Sequence, residues 1–380
     1  MSPPAVIAGR HPETGAGIAV EIAGGRIAAI RPAEAEADLW LSPGLVDLQV
    51  NGYAGLDFNA PDLAVAQVTE LVARLARLGT TTFLPTLITA AESRLTAALA
   101  TIAEARRRDP RVAHAIPGVH VEGPSIAPED GPRGAHPLDH IRPPDLAEFA
   151  RWQAAGDGLV KLVTLAPEYP QAPAYIQALT AQGVIVSLGH SAATPEQIRL
   201  AVDAGARLST HLGNGVAALL PRHPNLIWAQ LAEDRLSASF IADGHHLSAA
   251  TFKAMLRAKT PERAILVSDS VALAGLPPGR YRQPVGGDVE LDARGRVSLA
   301  GTPYLAGAGL PLAADLSRAA QMAGLTPIEA FPLATANPDR LIGTGGRLAI
   351  GQPADLVLWR QEASGGLAAA KVWVGGEEVA

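Results

Sequence analysis

Eight short runs of Val, Ile and Leu, each followed by a longer Ala- and Leu-rich stretch, limit what this chain can fold into. The runs are GLVDLQV, TTFLP, IPGVHVEG, VKLVTLAP, VIVSLGH, RLSTHL, SASFIADG and AILVSD. They predict strands near 45–50, 80–84, 116–121, 160–165, 184–189, 207–211, 237–242 and 264–268. Helical patterns fall near 62–78, 91–107, 145–155, 172–182, 195–204, 225–233 and 248–258. Strands this continuous in apolar residues are covered on both faces. Eight strand-then-helix units of near-equal length predict an α/β protein built on a (β/α)8 TIM-like barrel. An open doubly wound sheet also alternates in this way, but no G-x-G-x-x-G opens any helix here.

The two ends of the chain read differently. Val6–Ala8 reads as one short strand, and 17–23 with 26–30 reads as a hairpin turning at Gly24–Gly25. Strands return at 354–359 and 371–379, so the ends are expected to pair in one small flanking β-sandwich domain. That divides the chain into 1–42, a barrel over 43–345, and 346–380. Residues 281–300 break the barrel rhythm and read as a β-hairpin insertion, with helices near 310–323 and 327–336 after it.

Composition removes several function classes. There is no cysteine, so any metal must be held by His, Asp or Glu. Formal net charge is 31 − 37 = −6, with no Lys/Arg-rich run above background, so nucleic acid is not the expected partner. ARRR at 105–108 is the densest basic patch, and it sits where a helix C-terminus favours cations. The first residues lack the basic start and long apolar core of a signal peptide, and no stretch approaches eighteen apolar residues. The expected location is the cytoplasm, with no membrane partner.

In a barrel of this kind the chemistry gathers where strands end and loops begin. The first strand ends with Asp47, Gln49 and Asn51, which simple alternation puts on one face. The third brings His120 and Glu122, the fifth His190, the sixth His211, the seventh Asp243 and His246, and the eighth Asp269. Each has an ordinary reading alone. Glu122 could accept backbone N–H bonds, His190 and His211 could be satisfied structural histidines, Asp269 could cap a helix, and Asp243-Gly244 could be a turn. Together they gain a different meaning. Two histidines and a glutamate at one end of one barrel form the donor set of a catalytic metal site with an open position.

LSPGLVDLQVNGYAGLDFN, GTTTFLPTLIT, GVHVEGPSIAPEDGPRGAH, VTLAPE, VSLGHSAAT, STHLGN, SFIADGHHL, LVSDSVALAG and GRLAIGQPADLVLW occur in this order. As an ordered set they resemble the amidohydrolase superfamily and, within it, the N-acetylglucosamine-6-phosphate deacetylases. Members of the superfamily usually end the first strand in His-x-His, where this chain has Gln49-Val50-Asn51. The resemblance then implies one divalent metal ion per subunit, most simply zinc, with iron or another ion able to use the same donors. Its implied ligands are Glu122, His190 and His211, with Gln49 and Asn51 hydrogen-bonding the ligands or a bound water.

The resemblance also implies the chemistry. Asp269 would carry the proton and His136, in PRGAH, would meet the substrate near its acyl group, releasing acetate and an amino sugar. Asn214, Gly215 and Arg222 would receive the phosphate, and His246 would be lent by a neighbouring subunit, which implies a homodimer. The chain departs from the family pattern at Gly213-Asn214-Gly215 and in the acidic loop carrying Glu129 and Asp130. These departures bear on the sugar phosphate and leave the metal donors in place. Three readings follow. The first is a deacetylase of N-acetylglucosamine 6-phosphate. The second is one acting on an unphosphorylated N-acetyl sugar, N-acetylgalactosamine 6-phosphate or another N-acyl compound. The third is a non-catalytic scaffold of the same fold, which would be expected to lose donors that this chain keeps.

Overall fold

In the computed structural model, which describes residues 5–283, 287–302, 304–363 and 365–380, the eight expected strands form one parallel sheet. In chain order they are Leu45–Val50, Thr80–Ile88, Val119–Glu122, Val160–Leu165, Ile185–Leu188, Leu208–Ser209, Ser237–Phe240 and Ala264–Leu266. Each pairs in parallel with its sequence neighbour. The ring closes between the eighth and first strands, where Asp269 N donates to Gln49 O at 3.0 Å and Asn51 N to Ser270 O at 2.9 Å. Closure leaves no open edge, and it brings the ends of strands one and eight side by side.

The helices sit where their periodicity predicts. Val65–Arg77 buries Val68, Leu71, Val72 and Leu75, the i, i+3, i+4, i+7 stripe of a helix lying on a sheet. Pro195–Asp203 starts with a capping box: Thr194 Oγ1 accepts from Gln197 N, and Gln197 Oε1 accepts from Thr194 N. Inside the barrel, Val46, Leu48, Leu84, Leu162, Leu208 and Ile265 fill the lower layer. Above them lies a polar belt. His120 Nε2 meets Thr164 Oγ1 at 2.8 Å, and Thr164 Oγ1 meets Thr210 Oγ1 at 2.7 Å. The belt is the floor of the cleft described below.

Both chain ends join one seven-stranded sheet that curls over, so the Gly24–Gly25 turn reaches the Gly375–Gly376 turn. The sandwich-like enclosure expected from sequence is therefore made by a single sheet, around Ile7, Val20, Ile27, Leu41, Leu356 and Trp373. It leans on the barrel through Trp359, which is fully buried and stacks near Phe331 at 6.1 Å. Gly79 permits that approach, because a Cβ there would lie 2.7 Å from the Trp359 ring. The insertion is richer than the expected hairpin. It has three antiparallel strands, Gly279–Gln283, Gly287–Leu291 and Val297–Leu299, and its link at 284–286 lies outside the described residues. The helix expected near 327–336 is two helices, Pro327–Ala334 and Ala336–Ile342.

Candidate active site

A cleft of about 760 Å³ opens at the C-terminal ends of the strands. Glu122, the last residue of the third strand, is 3 % exposed and lies at its base. Three imidazoles converge on its carboxylate. His211 Nε2 lies 3.0 Å from Oε1, His190 Nε2 lies 3.3 Å from the same oxygen, and His136 Nε2 lies 3.9 Å from Oε2. Burial would push the Glu122 carboxyl up. Hydrogen bonds and charge from His190 and His211 overcome this and hold it well below the ordinary carboxylate range. The site is thus built to keep a buried negative charge facing nitrogen donors.

Surrounding atoms fix how these donors point. His190 Nδ1 donates to Pro132 O at 2.7 Å, which fixes the ring with Nε2 turned toward Glu122. His136 Nδ1 pairs with Thr89 Oγ1 at 2.8 Å. Burial, then the neighbouring His190, push the His136 imidazole down to about 3, so it is neutral. His211 is oriented through its backbone, whose N–H donates to Ser239 Oγ at 2.8 Å, and its buried Nδ1 has no partner among the described residues.

Glu122, His136 and His190 offer ligand atoms that all lie within 4.8 Å of one another, a group able to hold a metal ion. The resemblance names His211 where this compact group has His136, and the two histidines flank His190 at ring-centroid distances of 4.9 and 4.3 Å. One carboxylate and several imidazoles form a donor set that suits a divalent ion of borderline softness.

Asp269 hangs over this group from the eighth strand. Its Oδ1 accepts from Asn51 Nδ2 at 2.7 Å and from Gln49 Nε2 at 3.1 Å. The same Gln49 amide donates to Glu122 Oε1 at 3.0 Å, so one side chain ties the carboxylate to the aspartate. Burial, then the Glu122 charge, push the Asp269 carboxyl up to about 6. His190, His211 and Asp269 all have positive φ, at 50°, 28° and 47°. Such strain in non-glycine residues persists only where the surroundings dictate it, and it clusters at functional sites.

Asp47 departs from the sequence reading. A bulge between Asp47 and Val50 breaks the alternation, so Asp47 does not share the cleft face with Gln49 and Asn51. Its Oδ1 instead accepts from Gln49 N and Ser268 N, and burial pushes its carboxyl up to about 7. Asn214 and Gly215 line the cleft. Gly215 comes so near His190 that a Cβ would lie 2.9 Å from Nδ1. Arg222 is exposed and is not among the residues of this chain that line the cleft. The Pro221–Pro224 segment carries it to the surface. His246 lies on the wall of this chain's own cleft, its Nδ1 held by Asp243 Oδ2 at 2.8 Å, whereas the resemblance has it crossing to a second subunit. Thr89, Pro132 and the His120–Thr164 belt were missed from sequence. Threonines recurring on otherwise apolar strands were the available signal for the belt alone.

No helix among the described residues is long and apolar enough to cross a membrane. The amidohydrolase family model matches residues 40–379. The N-acetylgalactosamine-6-phosphate deacetylase of Escherichia coli O157:H7 is 35 % identical over 368 residues, 94 % of this chain and 93 % of that protein. The N-acetylglucosamine-6-phosphate deacetylase of Bacillus subtilis (strain 168) is 32 % identical over 86 % of this chain and 82 % of its own length. A solved mutant of N-acetyl-D-glucosamine-6-phosphate deacetylase from Mycobacterium smegmatis, in complex with N-acetyl-D-glucosamine-6-phosphate, superposes with a TM-score of 0.88 at 30 % identity, covering all of both chains. With family model, relatives and fold in agreement, the chain belongs to the amidohydrolase family and, within it, to the N-acetylglucosamine-6-phosphate deacetylases.

Proposed function

We propose that this protein removes the acetyl group from an N-acetylhexosamine 6-phosphate, in first place N-acetylglucosamine 6-phosphate, releasing acetate and the amino sugar phosphate. The observation that carries the reading is the Gln49 bridge, which sets a buried Asp269 carboxyl beside the Glu122–histidine group. We assign one divalent ion, zinc first, to Glu122, His190 and His211. His190 and His211 approach the same Glu122 oxygen, while His136 stands farther off toward the other. When bound, the ion supplies Lewis acidity for the amide carbonyl and acidifies water.

The chain's own residues do the rest. Both described hydrogen bonds to Asp269 fall on Oδ1, so Oδ2 is the oxygen turned to the substrate. It takes a proton from the attacking water and returns it to the leaving nitrogen. A carboxyl near 6 suits both transfers at neutral pH. Neutral His136, with Nδ1 accepting from the Thr89 hydroxyl, presents Nε2–H to the developing oxyanion. Asn214, Gly215 and His246 line the sugar side of the cleft.

A second reading, N-acetylgalactosamine 6-phosphate, draws on the 35 % identity to the enzyme of that name. An acetate-release assay over both sugars, each with and without the 6-phosphate, tests both readings. Release from neither phosphorylated sugar would remove them together. We also read the protein as cytoplasmic and as a homodimer.

A further inference from the structure

We propose that Glu168, which stands outside the cleft, is a positioning residue that holds His190 in place for the metal ion. The inference rests on the assignment of an ion to His190 and is independent of the choice of sugar. Every strand but the fourth places a residue from its C-terminal end in the cleft lining, from Asn51 after the first to Asp269 after the eighth. The fourth, Val160–Leu165, places none there. It runs instead into Ala166-Pro167-Glu168-Tyr169, a corner that no step of the chemistry uses. Glu168 is half-buried, and each of its oxygens takes a donor from the segment that follows His190. Oε2 accepts from Ser191 Oγ at 2.8 Å, and Oε1 accepts from Ala192 N at 2.7 Å. Ser191 Oγ accepts in turn from Ala193 N at 3.0 Å. Hydrogen bonds to an ionised carboxylate are stronger than neutral ones.

His190 needs such a hold because its φ is 50°, a conformation that a Cβ makes unfavourable. Left free, the segment would relax to negative φ and turn the ring away from Glu122. Ala127 N donates to His190 O at 2.9 Å, and Ser191 N donates to Gly215 O at 3.1 Å, but both partners lie on loops. Glu168 sits directly on the end of a barrel strand. The same corner also grips the loop on its other side. Ala166 N donates to Ser125 O at 2.8 Å, and Tyr169 OH donates to Ile126 O at 2.8 Å. That loop carries Pro132, whose carbonyl receives His190 Nδ1. The strand that sends nothing into the cleft thus fixes the backbone of His190 directly and its ring through the neighbouring loop.

The test uses the zinc-loaded full-length chain. Competition with a chelator gives zinc affinity, and thermal melting with and without excess chelator separates metal binding from folding. Glu168→Gln keeps the size but turns an amide N–H₂ toward one of the two donors. It should weaken zinc by about 10-fold, the lower end for groups that orient metal ligands, and Glu168→Ala by about 10- to 100-fold. Ser191→Ala, which loses one of the two bonds, should weaken zinc by about 2- to 5-fold. In each variant the rise in melting temperature that zinc confers should shrink. Added zinc should restore acetate release from N-acetylglucosamine 6-phosphate, with KM close to wild type. A purely structural Glu168 would lower the melting temperature equally with and without chelator and leave zinc affinity unchanged, which would overturn the proposal. Should Glu168→Gln fail to fold, Ser191→Ala decides: weaker zinc supports the proposal, unchanged affinity refutes it. A wild type that binds no zinc removes the assigned ion and this proposal with it. A wild type that binds zinc but releases no acetate refutes the deacetylase reading alone, and the affinities of the variants still decide the role of Glu168.

Discussion

Two of the places where histidine meets carboxylate in this molecule are built differently. At the seam between barrel and flanking sheet, His114 Nε2 lies 2.7 Å from Asp355 Oδ2, with the histidine side chain 34 % exposed. Asp355 also accepts from Gly375 N, so the pair fastens a barrel helix to a turn of the sheet. In the cleft, one carboxylate faces three imidazoles from separate segments, all nearly buried. The seam pair is complete in itself: one acid, one base, and water at hand. The cleft group places more donors around one carboxylate than hydrogen bonding requires, and two of its histidines stand on strained backbone. Residue types alone do not separate a fastener from a reaction centre. Burial, convergence and strain do.

Substitutions can break or sharpen this contrast, beginning with the cleft. Asp269→Asn should leave metal content near wild type and reduce kcat by about 10²–10⁴-fold, read by acetate release with elemental analysis. In the wild type, kcat/KM should fall below about pH 6 as the raised Asp269 carboxyl takes up its proton and ceases to act as a base. Normal turnover in Asp269→Asn would refute the assigned role. Gln49→Leu removes the donor shared by Glu122 and Asp269 and should lower activity or metal affinity by about 10- to 100-fold. The same substitution should move thermal stability far less than activity. An activity equal to wild type would mean that the bridge is structural, like the seam.

The smallest effect is expected at the seam. Asp355 raises the His114 pKa above 6.5. A raised histidine stabilises the fold fully below its unfolded value, and that contribution fades as pH climbs through the folded value. His114→Gln should therefore cost about 1 kcal/mol or less, because the pair is partly exposed. The cost should be largest below pH 6.5 and shrink toward alkaline pH, while kcat stays unchanged. Denaturant melts at pH 5.5 and 8.5 measure this, and a loss that grows with pH would contradict the assignment.

Much of this was legible in the chain because a closed barrel leaves strands few choices. Runs such as AILVSD and VIVSLGH must be strands covered on both faces, and the polar residue ending each one must emerge at the same rim. Glu122, His190, His211 and Asp269 were found in that way. Alternation failed at Asp47 because a bulge adds a residue that composition does not mark. Arg222 was not placed by such reasoning: loop residues obey no periodicity, and the turn through Pro221–Pro224 carries it to the surface. The approach of His136 to His190 belongs to the same class, since a loop fourteen residues beyond Glu122 had to fold back over the rim. The curled sheet at the chain ends was legible as strands, but its folding onto itself depends on contacts between turns more than 300 residues apart.

The central claim concerns the single ion. The most direct measurement is a crystal structure of protein purified without chelator, with anomalous scattering collected at the metal edge. The account predicts one peak per chain, within ligand distance of Glu122, His190 and His211, with Gln49 and Asn51 outside that distance. Two peaks, or one peak that replaces His211 with His136, would contradict it.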